Sequence, residues 1–187
     1  MTKTTDRIVE TAERLFYSNG FNNTGVDLIR DEANCSKTTM YKNFGNKDNL
    51  TLAVLKSRDM KFRSSLKNFV GTELKNLEAV AKIFEWHEMW FRELSFNGCL
   101  FVRASYELQR ENAEIYQVVL EHKLWVKNFI EERLSEECSQ NVNADFIMVL
   151  LEGLISLHSI YREEESRAPY LDLSLEVIKA RMKGELP

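Results

Sequence analysis

Proline and glycine are scarce in this chain of 187 residues, which has two prolines and seven glycines. No segment alternates polar and apolar residues with a period of two, so the sequence predicts helices joined by short turns and excludes a sheet architecture. Cysteine is scarce as well. Cys35, Cys99 and Cys138 are an odd number at wide spacing, which fits neither a disulfide framework nor a zinc motif.

Long apolar runs are also missing. No stretch is long enough for a membrane span, and the first ten residues are too polar for a signal peptide. Hydrophobic residues make up 44% of the chain and charged residues 29%, which is typical of a globular protein. We therefore expect a cytoplasmic protein whose thiols are reduced.

Overall positive charge is absent, because the formal net charge is −4. The distribution of charge nevertheless favours a nucleic-acid partner. Residues 1–67 carry twelve Lys and Arg against eight Asp and Glu, whereas residues 68–187 carry thirteen against twenty-one. A basic end on an acidic body indicates that one end faces phosphate.

The first residues predict two short helices. The first spans about residues 4–19, with one apolar stripe, and Gly20 ends it. The second begins at Thr24, whose hydroxyl is placed to cap it, while the carboxylate of Asp27 favours the positive helix end.

A third helix follows after a turn at Asn34, where asparagine accepts positive φ. Ser36 is its predicted cap, and Met40 and Phe44 face the core. Two helices joined by so short a turn cross steeply and leave one side of the second exposed. That side carries short polar or cationic groups: Lys37, Thr38, Thr39 and Lys42. Such groups can reach base edges and phosphates in a major groove, and a merely solvated helix face is the alternative.

Residues 7–58 resemble the DNA-binding domain of the TetR family over their whole length. The matching motifs are Gly20-Phe21, Ser36-Lys37-Thr38-Thr39-Met40-Tyr41 and Asn46-Lys47-Asp48. The chain departs from the family's pattern at Asn34, where glycine is usual, at Thr38, and at Lys42-Asn43. We expect the fold to be kept and the DNA sequence recognised to be the protein's own.

The resemblance implies a helix-turn-helix domain at residues 1–46 and an all-helical effector-binding and dimerisation domain at residues 47–187. It assigns DNA contacts to Thr24, Ser36, Lys37, Thr38, Thr39, Tyr41, Lys42 and Lys47. In this assignment Thr24, Tyr41 and Lys47 bind phosphates, and the remaining residues lie at or in the groove. The alternative for Tyr41 is a core aromatic residue packed with Phe44.

Residues beyond 46 predict further helices over 47–69, 73–95, 96–108, 112–137, 142–162 and 171–183. The segment Gly98-Cys99-Leu100-Phe101 and the later Glu121-His122-Lys123 resemble one C-terminal subtype of the same family. Aromatic residues are dense here, which fits either a core of large side chains or an apolar ligand pocket. The predicted effector contacts are Phe62, Leu66, Phe84, His87, Trp90, Phe101, Tyr106 and His122. Each histidine is alternatively a hydrogen-bonded core residue.

The helix over 142–162 is apolar on two faces, so that one face is left for a partner. The resemblance implies a homodimer in which the last two helices of each subunit form a four-helix interface. The predicted interface residues are Leu150, Leu154, His158, Tyr161, Leu175 and Ile178.

An enzyme is not expected, because the chain lacks Glu-x-x-His pairs, a His-Glu-x-x-His motif, a glycine-rich phosphate loop and Gly-x-Ser-x-Gly. No catalytic, metal or cofactor site is therefore predicted. The resemblance implies a transcriptional repressor that binds an inverted repeat in double-stranded DNA and is released by a small apolar or aromatic effector. An alternative is a DNA-binding protein that senses no ligand, or one that reads redox state through Cys99.

Overall fold

The structure is a computed structural model that describes residues 3–108, 112–161 and 170–186. Within these ranges all regular structure is helical, which confirms the predicted all-α fold. The helices are α1 (Lys3–Asn19), α2 (Val26–Glu32), α3 (Lys37–Phe44), α4 (Lys47–Val70), α5 (Asn76–Phe91), α6 (Leu100–Glu107), α7 (Ala113–Glu131), α8 (Glu136–Ser139), α9 (Ala144–Ile160) and α10 (Tyr170–Met182). Residue 162, the last of the predicted helix 142–162, lies outside the described residues.

The chain divides into two compact units. Unit 1 contains the residues up to Phe62 together with Cys99–His122, and unit 2 contains Arg63–Gly98 with the described residues from Lys123 onward. The sequence predicted that the DNA-binding domain ends at residue 46. These two units do not test that boundary, which stays a prediction.

The core of unit 1 is built from one apolar stripe on each helix. Residues of α1 at helical spacing, such as Ile8, Ala12 and Phe16, are fully buried because their spacing places them on a single side. They pack in one cluster with Ile29 of α2, Met40 of α3, and residues of α4, α6 and α7. Burial of these stripes stabilises α2 and α3, which with seven and eight residues are too short to persist alone in water.

In unit 2, α5, α9 and α10 pack against one another. The core residues include Ile83 and Phe84 of α5, Leu151 and Leu154 of α9, and Ile178 of α10. None of the helices in the described ranges is long and apolar enough to cross a membrane.

Several predicted helices are shorter in the structure, among them those expected over 73–95, 96–108 and 112–137. The helix expected over 73–95 is α5, which begins at Asn76, a residue with φ of +51° whose backbone N–H donates to the carbonyl oxygen of Arg133 at 2.7 Å. The helix expected over 112–137 is α7, which ends at Glu131. Ser135 then caps a separate short helix, accepting a hydrogen bond from the N–H of Cys138 at 3.3 Å.

Arg133 fixes the turn that ends α7. Its guanidinium lies 3.4 Å from the centre of the Phe129 ring and donates to the carbonyl oxygens of Phe129 at 2.9 Å and Gly71 at 3.2 Å. Desolvation by burial lowers the pKa of Arg133, although the group stays charged at neutral pH.

Candidate nucleic-acid interface and effector cluster

The turn between α2 and α3 is held against α1 by charged side chains. Arg7 donates from Nε to the carbonyl oxygen of Ala33 at 2.9 Å and from Nη2 to that of Asn34 at 3.3 Å. Asn34 has φ of +46°, as the sequence predicted for this tight turn. An ion pair of 2.8 Å between Arg14 and Glu32 adds a second link between α1 and α2. These contacts hold the turn that precedes α3 in place against α1.

Ser36 is the N-cap of α3, as the sequence predicted. Its Oγ accepts a hydrogen bond from the N–H of Thr39 at 3.0 Å. Met40 and Phe44 are buried, as predicted. Gly45 ends the helix with φ of +74°, and its N–H donates to the carbonyl oxygen of Tyr41 at 2.8 Å.

The outer side of α3 is polar and cationic. Lys37, Thr38 and Lys42 are exposed, and Thr39 is half-buried beside the cap. Tyr41 is 45% exposed, which argues against the alternative of a core aromatic residue packed with Phe44. This side of α3 is therefore open to a large, negatively charged partner such as DNA.

Thr24 does not have the place that the sequence suggested. The N-cap of α2 is Gly25, and Thr24 is fully buried, with its hydroxyl donating to the carbonyl oxygen of Gly20 at 2.7 Å. Because the hydroxyl is satisfied inside the turn that follows α1, it neither caps α2 nor reaches a phosphate in this conformation. The prediction for Thr24 is corrected to a structural role.

Two cations near this surface are already engaged. The Nζ of Lys47 donates to the carbonyl oxygen of Phe21 at 2.6 Å, which leaves two of its three N–H groups for a phosphate. Arg30 pairs with Asp27 at 2.6 Å and with Asp31 at 2.7 Å, and the hydrogen bond to Asp31 raises the pKa of Arg30. Arg30 is thus neutralised within α2.

Three predicted effector residues of unit 1 pack into one aromatic cluster. The rings of Phe101 on α6 and His122 on α7 stack with centres 3.7 Å apart, and Phe62 on α4 meets His122 edge-on at 4.9 Å. The Nδ1 of His122 lies 2.8 Å from a carboxylate oxygen of Asp59. Phe101 and His122 are buried. The two phenyl rings and the pair of His122 with Asp59 join α4, α6 and α7.

Tyr106 is not part of this cluster, because it is 85% exposed, and its prediction as a pocket residue is corrected.

The other predicted effector residues lie in unit 2. Leu66, Phe84 and His87 are buried, and Trp90 is half-buried. His87 Nδ1 is 2.7 Å from the carbonyl oxygen of Ile83, one turn earlier in α5, so that its ring is a hydrogen-bonded core residue.

The predicted dimer residues divide into buried and accessible ones. Leu154, His158 and Ile178 are buried within the protomer, because α9 and α10 pack with α5, and they present no surface to a second copy. Their assignment to the interface is corrected. Leu150 and Leu175 are half-buried, and Tyr161 is exposed.

Sequence reasoning missed two charged residues on α6. Arg103 donates from Nη1 to the carbonyl oxygen of Tyr17 at 2.9 Å, at the end of α1. One turn later, Glu107 accepts a hydrogen bond from the backbone N–H of Asn22 at 2.8 Å. The signal available in the sequence was a pair of opposite charges four residues apart on a short apolar helix. Phe101 lies on the same helix, so α6 contacts both the aromatic cluster and the segment that precedes α2.

Together, α2 and α3 and the tight turn between them form a helix-turn-helix. The cap of α3 and its cationic outer face are typical of a DNA-binding protein of this class. Comparison with known proteins agrees with this geometry. Residues 8–54 match the family model of bacterial regulatory proteins of the tetR family. The match lies in the N-terminal part of the chain and supports a DNA-binding transcriptional regulator of this kind. A search of curated proteins found no match.

The fold is shared with solved TetR-family structures along almost the whole chain. The TetR-family transcriptional regulator SCO4454 from Streptomyces coelicolor is 22% identical with a TM-score of 0.85, and the match covers 98% of this chain and 90% of that one. NemR from E. coli in its reduced form is 17% identical with a TM-score of 0.78, covering 95% of this chain and 96% of that one. A cysteine mutant of the TetR-family regulator CifR, solved with a 26-bp double-strand operator DNA, is 17% identical with a TM-score of 0.75, covering 95% and 94%.

Proposed function

We propose that this protein is a dimeric repressor that binds an inverted repeat through α3 and leaves it when a small apolar or aromatic effector binds. The observation that carries the DNA-binding part is the two-sided α3, which buries Met40 and Phe44 and exposes Lys37, Tyr41 and Lys42. The similar structure of CifR contains operator DNA, which supports double-stranded DNA as the partner of this chain. A cytoplasmic location is part of this proposal, because a regulator of this kind works where the DNA is.

In this proposal the outer face of α3 enters the major groove. Lys37, Thr38, Thr39 and Lys42 lie near base edges, and Tyr41 contacts the backbone. Ser36 is already committed to the cap of α3, so its contribution is to hold the first turn in place. Lys47 binds a phosphate with the two N–H groups that Phe21 leaves free.

Effector release is proposed through α6. An effector that displaces Phe101 from His122 moves the helix that also carries Arg103 and Glu107. Those two side chains hold the end of α1 and the start of the segment leading to α2, so a shift of α6 changes the placement of the DNA-binding helices. A ligand acts in this way only through its preference for the conformer that does not bind DNA. A hundredfold preference corresponds to about 2.7 kcal/mol per site.

The dimer is proposed to form along α9. Val149, Gly153, Ser156 and Ile160 recur at intervals of four, three and four residues, and all four are exposed. This spacing places them on one side of the helix, with Val149 71% and Ile160 67% exposed. Val149 and Ile160 are apolar, and the small residues Gly153 and Ser156 lie between them. Such a stripe allows a second helix to approach closely.

The test begins with selection of duplexes from a randomised library by the purified protein, followed by sequencing. An inverted repeat is expected, and selection that returns no common sequence would refute specific recognition. Calorimetry then compares the affinity of an effector, found by thermal-shift screening of apolar and aromatic metabolites, with and without saturating operator. Linkage requires operator to weaken effector binding. Equal affinities would contradict release by the effector and leave DNA recognition untouched.

A further inference from the structure

A cavity of about 170 Å³ in unit 2 lies where the segment before α9 meets the end of α10. Its lining consists of Gln140, Asn141, Asn143, Phe146 and Arg181. Three amides and one cation make it strongly polar, unlike an aromatic effector pocket. None of the predicted effector or dimer residues lines it.

Arg181 is the single charged group of this lining, and one nitrogen of its guanidinium has no partner among the described residues. It lies over the ring of Phe146, 4.6 Å from the centre. Its Nε is buried and has no hydrogen-bond partner among the described residues. Buried donors are nearly always paired, so the described residues leave this guanidinium short of acceptors, and its half-exposed end remains for an acceptor in the cavity.

Two acidic residues that are close in sequence to residues of the lining, Asp145 beside Phe146 and Glu185 after Arg181, lie near lysines. Asp145 pairs with Lys127, whose Nζ lies 2.8 Å from its carboxylate, and this hydrogen bond raises the pKa of Lys127. Glu185 lies 3.6 Å from the Nζ of Lys183. In addition, the cavity includes Asn143, whose side chain caps the 17-residue helix α9 by accepting from the N–H of Phe146 at 2.9 Å. The positive end of that helix adds to the field of the guanidinium.

We propose that this cavity binds a small carboxylate. The planar guanidinium of Arg181 matches a carboxylate in a two-point hydrogen bond through its two Nη groups, and the ring of Phe146 lies against the guanidinium. The amides of Gln140 and Asn141 supply donors for a further oxygen. The volume equals that of about six water molecules at roughly 30 Å³ each, so the ligand has about five to eight non-hydrogen atoms. The site is independent of the proposed effector release.

The test uses the full-length protein and a panel of acetate, pyruvate, succinate and glutarate, with inorganic phosphate as the comparison anion. The Nε–Hε signal of Arg181 in nitrogen-15 NMR spectra is assigned by its disappearance in Arg181→Lys. At least one carboxylate is expected to shift this signal in a saturable way, and calorimetry gives its affinity. Arg181→Lys keeps the positive charge but loses the planar group that makes two parallel hydrogen bonds. We therefore expect its binding to be roughly tenfold weaker or more. Asn141→Ala should weaken binding without any change of charge.

Lys179→Gln is the matched control, because it removes an exposed cation from the same helix. Its affinity for the carboxylate should stay close to that of the unmodified protein. Equal losses in Lys179→Gln and Arg181→Lys would show unspecific attraction and overturn the proposal. It would also be overturned if no carboxylate shifted the Arg181 signal, or if phosphate bound more tightly than every carboxylate. Circular dichroism of each variant confirms that the loss does not come from unfolding.

Discussion

The carboxylate of Glu107 lies so close to Gly20 that a Cβ added at Gly20 would stand 2.7 Å from Oε1. The other carboxylate oxygen accepts a hydrogen bond from the N–H of Asn22 at 2.8 Å. Gly20 also has φ of +87°, which side chains rarely adopt. The end of α1 is therefore shaped by its own backbone and by a residue that is 85 positions away from Asn22.

This contact predicts the stability of Gly20→Ala. The positive φ costs about 1–2 kcal/mol, and displacement of the Glu107 carboxylate adds to that loss. Gly71→Ala is the matched control, because Gly71 has φ of +75°, ends α4 as Gly20 ends α1, and an added Cβ would meet nothing within 4 Å. We expect denaturant unfolding to show a larger loss for Gly20→Ala than for Gly71→Ala. The difference should disappear when each is combined with Glu107→Ala, and equal losses without that change would contradict the contact.

Arg103→Ala is predicted to loosen the end of α1. The variant loses the hydrogen bonds of Nη1 to the carbonyl oxygens of Tyr17 at 2.9 Å and Phe16 at 3.4 Å. We expect faster amide hydrogen exchange over residues 16–24 and a loss of about 1–3 kcal/mol in the free energy of unfolding. Arg92→Ala removes an exposed arginine that pairs with Glu88 and serves as the control. Unchanged exchange in Arg103→Ala would argue against α6 as the link to the DNA-binding helices.

The parts of the fold that the sequence predicted correctly depend on neighbours within a few residues. Gly20 ends α1, Ser36 caps α3 and Asn34 takes positive φ, because each result follows from local backbone chemistry. The corrected positions depend on distant packing instead. Thr24 is buried by the fold of the turn around it, and Leu154 is buried by α5 and α10.

The same reason explains why the contacts of Arg103 could not be derived in advance. Its partner Tyr17 lies 86 residues away in the chain, and periodicity carries no information on such a pair. Helical periodicity did predict an apolar surplus on α9, but not which residues of α9 the protomer itself would cover.

Lys47→Ala tests the phosphate contact. We expect specific and unspecific DNA binding to weaken together, and the log–log salt slope to become shallower by about 0.9 per protomer. Lys56→Ala removes an exposed cation from the same helix and should leave the slope unchanged. Because Lys47 also bonds to Phe21, the stability of the variant is measured in parallel. An unchanged slope in a folded Lys47→Ala protein would refute the contact.

Lys42→Ala tests the reading of bases. Lys42 is exposed on the outer side of α3, so the proposal places it in the groove. Its loss should change which base pairs are selected from a randomised duplex library, with a cost of about 1–3 kcal/mol at one position of each half-site. Lys56→Ala should select the same sequence as the unmodified protein. An identical sequence selected by Lys42→Ala would exclude a base contact.

The final prediction concerns Gly153, in the middle of the exposed stripe of α9. A Cβ added there would meet nothing within 4 Å in the protomer, and leucine is a better helix former than glycine, so Gly153→Leu should fold at least as well as the unmodified chain. If a second copy of α9 packs closely at this point, the leucine instead overfills the dimer interface, at a cost of about 1–3 kcal/mol. We therefore expect sedimentation equilibrium to show a weaker dimer with an unchanged or higher protomer stability. Asn128→Leu adds the same bulk at an exposed position of α7 and should leave association unchanged. A dimer of Gly153→Leu as tight as that of the unmodified protein would mean that the subunits meet through another face.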